Sequence, residues 1–468
     1  MTSGLESVEI NLNEIKKNDT FRFDNEYFIR EYIRLENSLS QSGYFTLANG
    51  TNEITDFGAY SQTNIIELKE AGVNFFRIQD IGKNTIDSYN CAKIEDIAYK
   101  QLTLHLQEND VIIPRVGTLG NAGVVKKEYL PASANQNLAV IRVKKQYSPY
   151  YFSTILSSRI GVMQINRMAT GNVQPWLNLS GIANIKIPTA SQNIQNAIDT
   201  VVLLAHSLIS QSNSCYIAAK SSLLYALGME NFMPQSKLFA VKSLSESFTA
   251  SGRLDAEYYQ AKYDSLFSML SGLPREKLGN IVEFEKSIEP GSEHYGDEGV
   301  PFIRVSDVTK YGISSTSINI PANLTKLRPK KDTILLSKDA SVGIAYKVEQ
   351  DMDVITSGAL LHLTVGRKEV LPDYLTLVLN SLVVRLQAER DAGGSIIQHW
   401  KPSEIAEVVI PILSYNVQSK IAEQVQKSFV LRRQSEQLLE QAKRAVEIAI
   451  EQGENAAIAW LKEKGVEG

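Results

Sequence analysis

The stretch Arg22-Phe23-Asp24-Asn25-Glu26-Tyr27-Phe28 returns as Arg253-Leu254-Asp255-Ala256-Glu257-Tyr258-Tyr259, 231 residues later. Phe76-Arg77-Ile78-Gln79-Asp80-Ile81 returns as Ile303-Arg304-Val305-Ser306-Asp307-Val308 at an offset of 227, and Asn109-Asp110-Val111-Ile112-Ile113 as Lys331-Asp332-Thr333-Ile334-Leu335 at 222. From there the offset holds at 223: Gly120 and Gly343, Pro149 and Pro372, Tyr151 and Tyr374, Gly171 and Gly394, Ile187-Pro188 and Ile410-Pro411, Gln195 and Gln418. Chance does not keep order and spacing over so many marks. The chain is an internal duplication, and its fold must be one that a half-length unit can adopt twice.

Each copy reads as a strand-rich α/β region punctuated by Gly, Pro and Asn, followed by a long helix. Val111–Ile113, Leu138–Val143 and Thr333–Leu336 have strand length and β-branched content. After Pro188 the apolar positions Ile194, Ile198, Val201, Ala205 and Leu208 recur at three- and four-residue spacing. Cys215, Ala218 and Leu223 extend them beyond a polar interruption at Gln211–Ser214. After Pro411 the series is Val417, Ile421, Val425, Phe429, Leu438, Ala442, Ala445 and Ala449, with Ser428 and Ser435 near the seam. A helix from about Val417 to Ala449 is about 50 Å long. So long an amphipathic rod needs a partner, and the simplest is the helix of the other copy, paired antiparallel. The fold class is therefore α/β and internally duplicated, with two strand-rich domains separated by two long antiparallel helices. Such an arrangement suits a long repetitive ligand, and duplex DNA repeats its grooves about every 34 Å. A compact self-packed duplication of any other function has the same pattern.

With 468 residues, 43% of them apolar, the chain can bury more than one core. It opens with Glu6, Glu9 and Glu14 rather than a basic and then apolar run, and no stretch approaches the roughly 20 apolar residues of a membrane span. The expectation is a cytoplasmic protein without a membrane partner. Cys91 and Cys215 fit no metal or redox spacing and read as ordinary thiols. A net charge of -4 excludes an overtly basic nucleic-acid module, although a large protein can confine its basic surface to one face.

Two loops carry the ligand-contact candidates. Pro114-Arg115-Val116-Gly117-Thr118-Leu119-Gly120-Asn121 corresponds to Ser337-Lys338-Asp339-Ala340-Ser341-Val342-Gly343-Ile344. Each places a cation and a hydroxyl before a glycine, a composition that serves a phosphate, a guanine edge or simply a tight turn. Neither is a Walker loop. Arg115, Thr118, Asn121, Lys338 and Ser341 are the DNA-contact candidates. Arg77 and Arg304 join them: each stands three residues before an aspartate whose role reads as structural, and either pairs with it to fix a turn or faces DNA. Arg22-Phe23-Asp24 and Arg253-Leu254-Asp255 read as helix starts capped by the aspartate and docked by the aromatics. His399-Trp400 lies in the region of Pro175-Trp176 and reads as an aromatic joint. The five histidines (His105, His206, His294, His362, His399) have no metal spacing, and no GxSxG, HExxH, CxxC, DPPY-like or PD…ExK pattern stands out, so no catalytic, cofactor or metal residue is assigned.

The order and double occurrence of these marks resemble the specificity subunits of type I restriction-modification systems. The marks are Arg22-Phe23-Asp24, Gly171-Asn172-Val173-Gln174-Pro175-Trp176-Leu177-Asn178 and Ile185-Lys186-Ile187-Pro188 leading to Gln195, then Arg253-Leu254-Asp255, Gly393-Gly394-Ser395 and Ile410-Pro411 leading to Gln418. Ser191 and Tyr415, where that family often has proline or a small turn residue, and the long connector at 210–250 are departures. The resemblance implies target-recognition domains at 1–190 and 253–412, a central helical spacer and connector at 191–252, a spacer helix at 413–455 and a tail at 456–468. It implies that each domain reads one half of a split, asymmetric site in double-stranded DNA. Two modification subunits would dock on the helices, their S-adenosylmethionine bound by them and not by this chain, and a restriction or motor subunit would join. Glu423, Glu436, Glu440, Glu447 and Glu451 would then face partners. Ile194, Ile198, Val201, Leu208, Val417, Ile421, Val425 and Leu438 are the helix-seam and assembly candidates. The alternatives are a related system that serves a fused methyltransferase-nuclease and a duplicated scaffold without DNA.

Overall fold

A computed structural model of the chain describes residues 8–12, 15, 22, 24–58, 66–171, 174–234, 239–314, 316, 318–324, 327–394 and 398–465. Glu6, Glu14, Phe23, Asn172, Val173 and Ser395, named above, lie outside them. The chain divides into two compact units, one formed by 1–209 with 433–468 and the other by 210–432.

In the first unit a four-stranded antiparallel sheet runs in the order Thr51–Asp56, Leu138–Val143, Asp110–Pro114, Gly123–Val124, with Val140 between Thr55 and Ile112. Four of the six residues of Leu138–Val143 and all of Asp110–Pro114 are buried, as expected of central strands of continuous apolar character. A three-stranded sheet sets Val73–Phe76 between Ala92–Ile94, antiparallel, and Ala132–Ala134, parallel. Two helices, Pro149–Ser157 and Arg159–Met168, follow; Ser148 caps the first by accepting from Tyr151 N–H at 3.0 Å, and Pro149 fits the first helical turn.

The second unit repeats the plan. Val282–Lys286, Leu360–Val365, Ile334–Ser337 and Ala345–Lys347 form the four-stranded sheet, and Val300–Ile303 lies between antiparallel Asn319–Ile320 and parallel Ile355–Thr356. Helices Pro372–Leu379 and Leu382–Asp391 follow. The duplication is thus one of strand order and polarity as well as of sequence.

Backbone geometry corrects one register. Asn109 and Asp332 both take left-handed φ (71° and 66°), and their N–H groups donate to Val125 and Val348 at 2.8 Å. They are therefore the equivalent pair, 223 apart, and Asp110 corresponds to Thr333. Aligning aspartate with aspartate misplaced the match by one residue.

Gln192–Ala226 and Tyr415–Gln452 are unbroken helices of 35 and 38 residues. Left-handed Gly228 and Gly453 end them. Each helix gives one half to each unit. In the first unit Ile194, Ile198, Val201, Ala205, Leu439, Ala442 and Val446 share one apolar core, and Ser435 Oγ donates to Ala205 O at 2.7 Å. In the second, Tyr216, Ala219 and Leu223 share a core with Ile421, Val425 and Phe429. Within each unit the halves run antiparallel: Ser191 meets Glu454 where Ala205 meets Ser435, and Asn213 meets Arg432 where Ser222 meets Gln424.

The polar interruption at Gln211–Ser214 lies within an unbroken helix. Ser212 bonds Ser428 at 3.0 Å and Asn213 accepts from Arg432 at 2.7 Å, so polar groups satisfy one another across the seam. Among the seam candidates Ile194, Ile198, Val201, Ile421 and Val425 are buried; Leu208, Val417 and Leu438 are half-buried, and Leu439 takes the core position beside Leu438. The expected tail is instead a helix, Glu454–Glu463, which buries Ala457 and Leu461 in the first unit's core. Glu454 accepts from Ser191 N–H at 2.7 Å and so satisfies a donor at the start of the first long helix.

Candidate nucleic-acid interface

In both units the loop candidates lie at the end of a central strand. After Pro114 the chain turns through left-handed Gly117 (φ 75°) and Gly120 (φ 88°); after Ser337 it turns through Ala340 (φ 60°) and Gly343 (φ 87°). A second segment closes each turn. Trp176 exchanges backbone hydrogen bonds with Thr170 (2.7 and 2.9 Å), and Leu177 N–H donates to Arg115 O at 2.8 Å. In the second unit His399 does the same with Gly393 (2.7 and 3.1 Å), and Trp400 N–H donates to Lys338 O at 2.8 Å. Alternation along this segment sends Leu177 and Trp400 into the core, 0% and 1% exposed, and leaves Trp176 and His399 outside. The equivalent pairs are therefore Trp176 with His399 and Leu177 with Trp400, one residue from the alignment by tryptophan.

The cations expected at this edge are engaged. Arg115, its side chain 12% exposed, is ion-paired to Asp56, donates to Leu177 O at 3.3 Å and lies 5.2 Å from the Trp176 ring centroid. Lys338, also 12% exposed, is paired with Asp339, whose other oxygen accepts from His399 Nδ1 at 2.8 Å. Burial works against the Asp339 carboxylate, but the bonds from Lys338 and His399 together outweigh it and hold its pKa below the usual value. Thr118 and Ser341 are exposed on the turns, whereas Asn121 is turned inward and donates to Ile81 O at 2.7 Å.

Arg77 and Arg304 each begin a single 3-10 turn in which their own N–H donates to Asp80 (2.8 Å) or Asp307 (2.9 Å). The structural reading of both aspartates holds. Burial raises the pKa of Asp80. Arg304 reaches Asp307 with two nitrogens at 3.2 Å, and Arg77 lies 3.6 Å from Asp80. The edge thus offers two exposed rings, two exposed hydroxyls and two half-exposed guanidiniums, while Arg115 and Lys338 order the ring-bearing segments.

The joints to the long helices also repeat. Tyr151 and Tyr374 donate to Pro188 O and Pro411 O, and Gln195 and Gln418 accept from Ser148 N–H and Leu371 N–H. Asp24 caps its 3-10 turn, and Tyr27 lies between Arg22 (5.0 Å) and Arg167 (4.2 Å), as Tyr258 does between Arg253 (4.6 Å) and Arg390 (4.9 Å). Sequence reasoning missed Arg167 and Arg390. It also missed Gln164 and Gln387, whose amides make strand-like bond pairs with Lys186 (2.8 and 3.0 Å) and Val409 (2.8 and 3.0 Å). Both pairs sit at the 223-residue offset, the signal that would have found them. Among the described residues no group of His, Cys, Asp and Glu could hold a metal, and no helix is long and apolar enough to cross a membrane.

Residues 275–442 match the family described as the type I restriction modification DNA specificity domain. The match covers most of the second copy and part of its long helix. The chain is 23% identical over 219 residues to the EcoBI specificity subunit of Escherichia coli, a match covering 45% of this chain and 42% of that relative's length. Solved structures with a similar course include the S subunit from M. genitalium (15% identity, 89% of this chain and 95% of that one, TM-score 0.36). Another is the HsdS subunit from Thermoanaerobacter tengcongensis (16% identity, 88% and 97%, TM-score 0.30).

Proposed function

We propose that each unit reads one half of a split, asymmetric site in double-stranded DNA and that the chain directs partner subunits to that site. The observation that carries this reading is the repeated strand-end edge: one backbone frame, occurring once per unit, presents different exposed side chains in the two copies. A chain that reads two unrelated half-sites requires a constant scaffold and unlike tips. The domain match at 275–442 supports the reading. The chemistry belongs to the partners in this account: two modification subunits with their own S-adenosylmethionine methylate adenine, a restriction subunit joins them, and this chain contributes target choice without a catalytic centre. The assembly works in the cytoplasm, where its DNA is. Arg77, Arg304, Thr118 and Ser341 supply contacts at the edge, with Arg115 and Lys338 acting from behind the exposed rings. Genome-wide adenine methylation in cells with and without the gene, partners expressed, tests this. A bipartite motif that disappears on deletion is expected; unchanged methylation with active partners overturns the proposal.

A further inference from the structure

We infer that Trp176 and His399 are the specificity-determining side chains of their respective half-sites, a role that rests on the DNA-reading function proposed above. The backbone frame around each is the same, with bonds that agree to within 0.2 Å between the copies. Residues 177 and 400 point inward from that frame, so the preceding residue must point out. Trp176 is 42% exposed and the side chain of His399 is 62% exposed. A large aromatic left in water on an otherwise anchored segment needs a reason, because its neighbour one position later is fully buried.

Both rings are held in orientation, each by its own device. The guanidinium of Arg115 sits over the indole of Trp176 and is itself fixed by Asp56 and by Leu177 O. The carboxylate of Asp339 accepts from Nδ1 of His399, and Lys338 steadies that carboxylate from the other side. Because a carboxylate can only accept, Nδ1 carries the proton, and in the neutral ring Nε2 is then an acceptor. Among the described residues Nε2 has no partner.

The two positions consequently read different chemistry. In the neutral ring His399 presents Nε2 as a single acceptor, which suits an exocyclic amino group at a groove edge, on adenine or cytosine. Trp176 presents an apolar face and one N–H donor, and suits a thymine methyl or a base acceptor. Ordering the ring in advance lowers the entropy lost on binding, which is what the buried Arg115 and Asp339 contacts achieve. Both cations lie behind the reading side chain, so they position it without contacting bases themselves.

The test is the adenine-methylation motif in cells expressing the full chain with its partners, for wild type, Trp176→Ala, His399→Ala and His399→Gln. The expected result is a roughly tenfold loss of discrimination at one position of one half-site for His399→Ala. Trp176→Ala relaxes the other half, and His399→Gln, whose amide keeps an acceptor, restores part of the selectivity. Thermal melting of the purified chain accompanies the assay, and both alanine variants should melt like wild type because the rings are exposed. Unchanged motifs in both variants overturn this role and leave the reading function intact. Loss of all methylation together with a lowered melting temperature makes the rings structural and also overturns it. A wild type without any split motif overturns the reading function and this role with it.

Discussion

The three-stranded sheets of the two units share strand order and polarity but not their apolar filling. In the first unit one cluster runs from Phe57 through Val73, Phe75, Phe76 and Ile94 to Leu138 and Val140, continuous between the two sheets. In the second, the described residues form two separate groups of three buried side chains, Phe302 with Ile320 and Ile355, and Ile303 with Val308 and Leu360. A shared backbone plan therefore does not carry a shared cohesion. The hairpins beneath show the same divergence. Ile81–Gly82 and Thr85–Ile86 present Asn84, fully buried, which bonds Thr154 (2.7 Å), Ser153 (2.5 Å) and, through its carbonyl, His206 Nε2 (2.8 Å). Val308–Thr309 and Gly312–Ile313 present Tyr311, which lies under Arg432 (3.9 Å) and edge-on to Tyr216 (5.2 Å). One hairpin is anchored by a buried polar network and the other by an edge-on ring pair with an arginine over it.

The largest expected effect contrasts the sheets. Phe75→Ala should cost about 3–5 kcal/mol, because it opens a cavity in a cluster packed on every side, whereas Phe302→Ala should fall at or below the low end of that range, since a small group collapses more easily. Denaturant unfolding of each variant gives the ordering, and equal losses would remove the difference in cohesion.

Acid separates the hairpin joints. Burial depresses the pKa of His206 to about 4, opposed by its bond to Asn84 O, and its Nδ1 is buried without a partner among the described residues. An unfolded chain takes up this proton below about pH 6.5. The stability gained by keeping His206 neutral is therefore present above that pH and lost as pH falls towards 4, by up to about 3 kcal/mol. Tyr150, Lys126 and Glu128 also face this ring. Asp110 and Asp199 act in the opposite sense. Burial raises both to about 6, so their destabilising ionisation is relieved over the same interval. A global melt mixes these signs. Local hydrogen exchange at 81–86 against 308–313, from pH 7 to 4.5, should show the first hairpin opening preferentially, and His206→Gln should flatten that difference.

Deleting the polar anchor comes next. Asn84→Ala removes the acceptor of the Ser153 hydroxyl and a donor to Thr154, and places alanine at a left-handed φ of 62°, at a cost of about 2–3 kcal/mol. Tyr311→Ala should cost about 1 kcal/mol, the stacking energy of a partly exposed ring. Thermal melts of the two variants would reverse the order if the hairpins were held alike. The smallest pair is a swap at one left-handed position. Ala340→Gly should stabilise by about 1 kcal/mol and Gly117→Ala destabilise by a similar amount, because a Cβ at 117 meets nothing nearer than 3.8 Å and strain alone decides.

Much of this plan was legible in the sequence because it is periodic. The 223-residue offset exposed the duplication, and the three- and four-residue spacing exposed both long helices. What stayed hidden depends on backbone conformation or on partners distant in the chain. Matching Asp110 to Asp332 by side-chain identity missed that the left-handed turn residue, not the aspartate, is the conserved feature. Ser212 and Asn213 read as an interruption because their partners Ser428 and Arg432 lie more than 200 residues away. Arg115 read as a free cation because Asp56 becomes its partner only on folding, and adjacency of Lys338 and Asp339 does not show that His399 joins them from 60 residues away. A lone glutamine on a helix, such as Gln164, carries no local pattern that marks it as a surrogate strand partner.

In the proposed function the two units read separate halves of one site. Hydrogen exchange of the assembled complex on duplexes carrying the methylated motif, intact or scrambled in one half, tests it most directly. Protection is expected at 115–121 and 337–344 on the intact duplex, with loss of protection at only one of the two loops for each scrambled half. Equal loss at both loops, or protection at neither on the intact duplex, would contradict it.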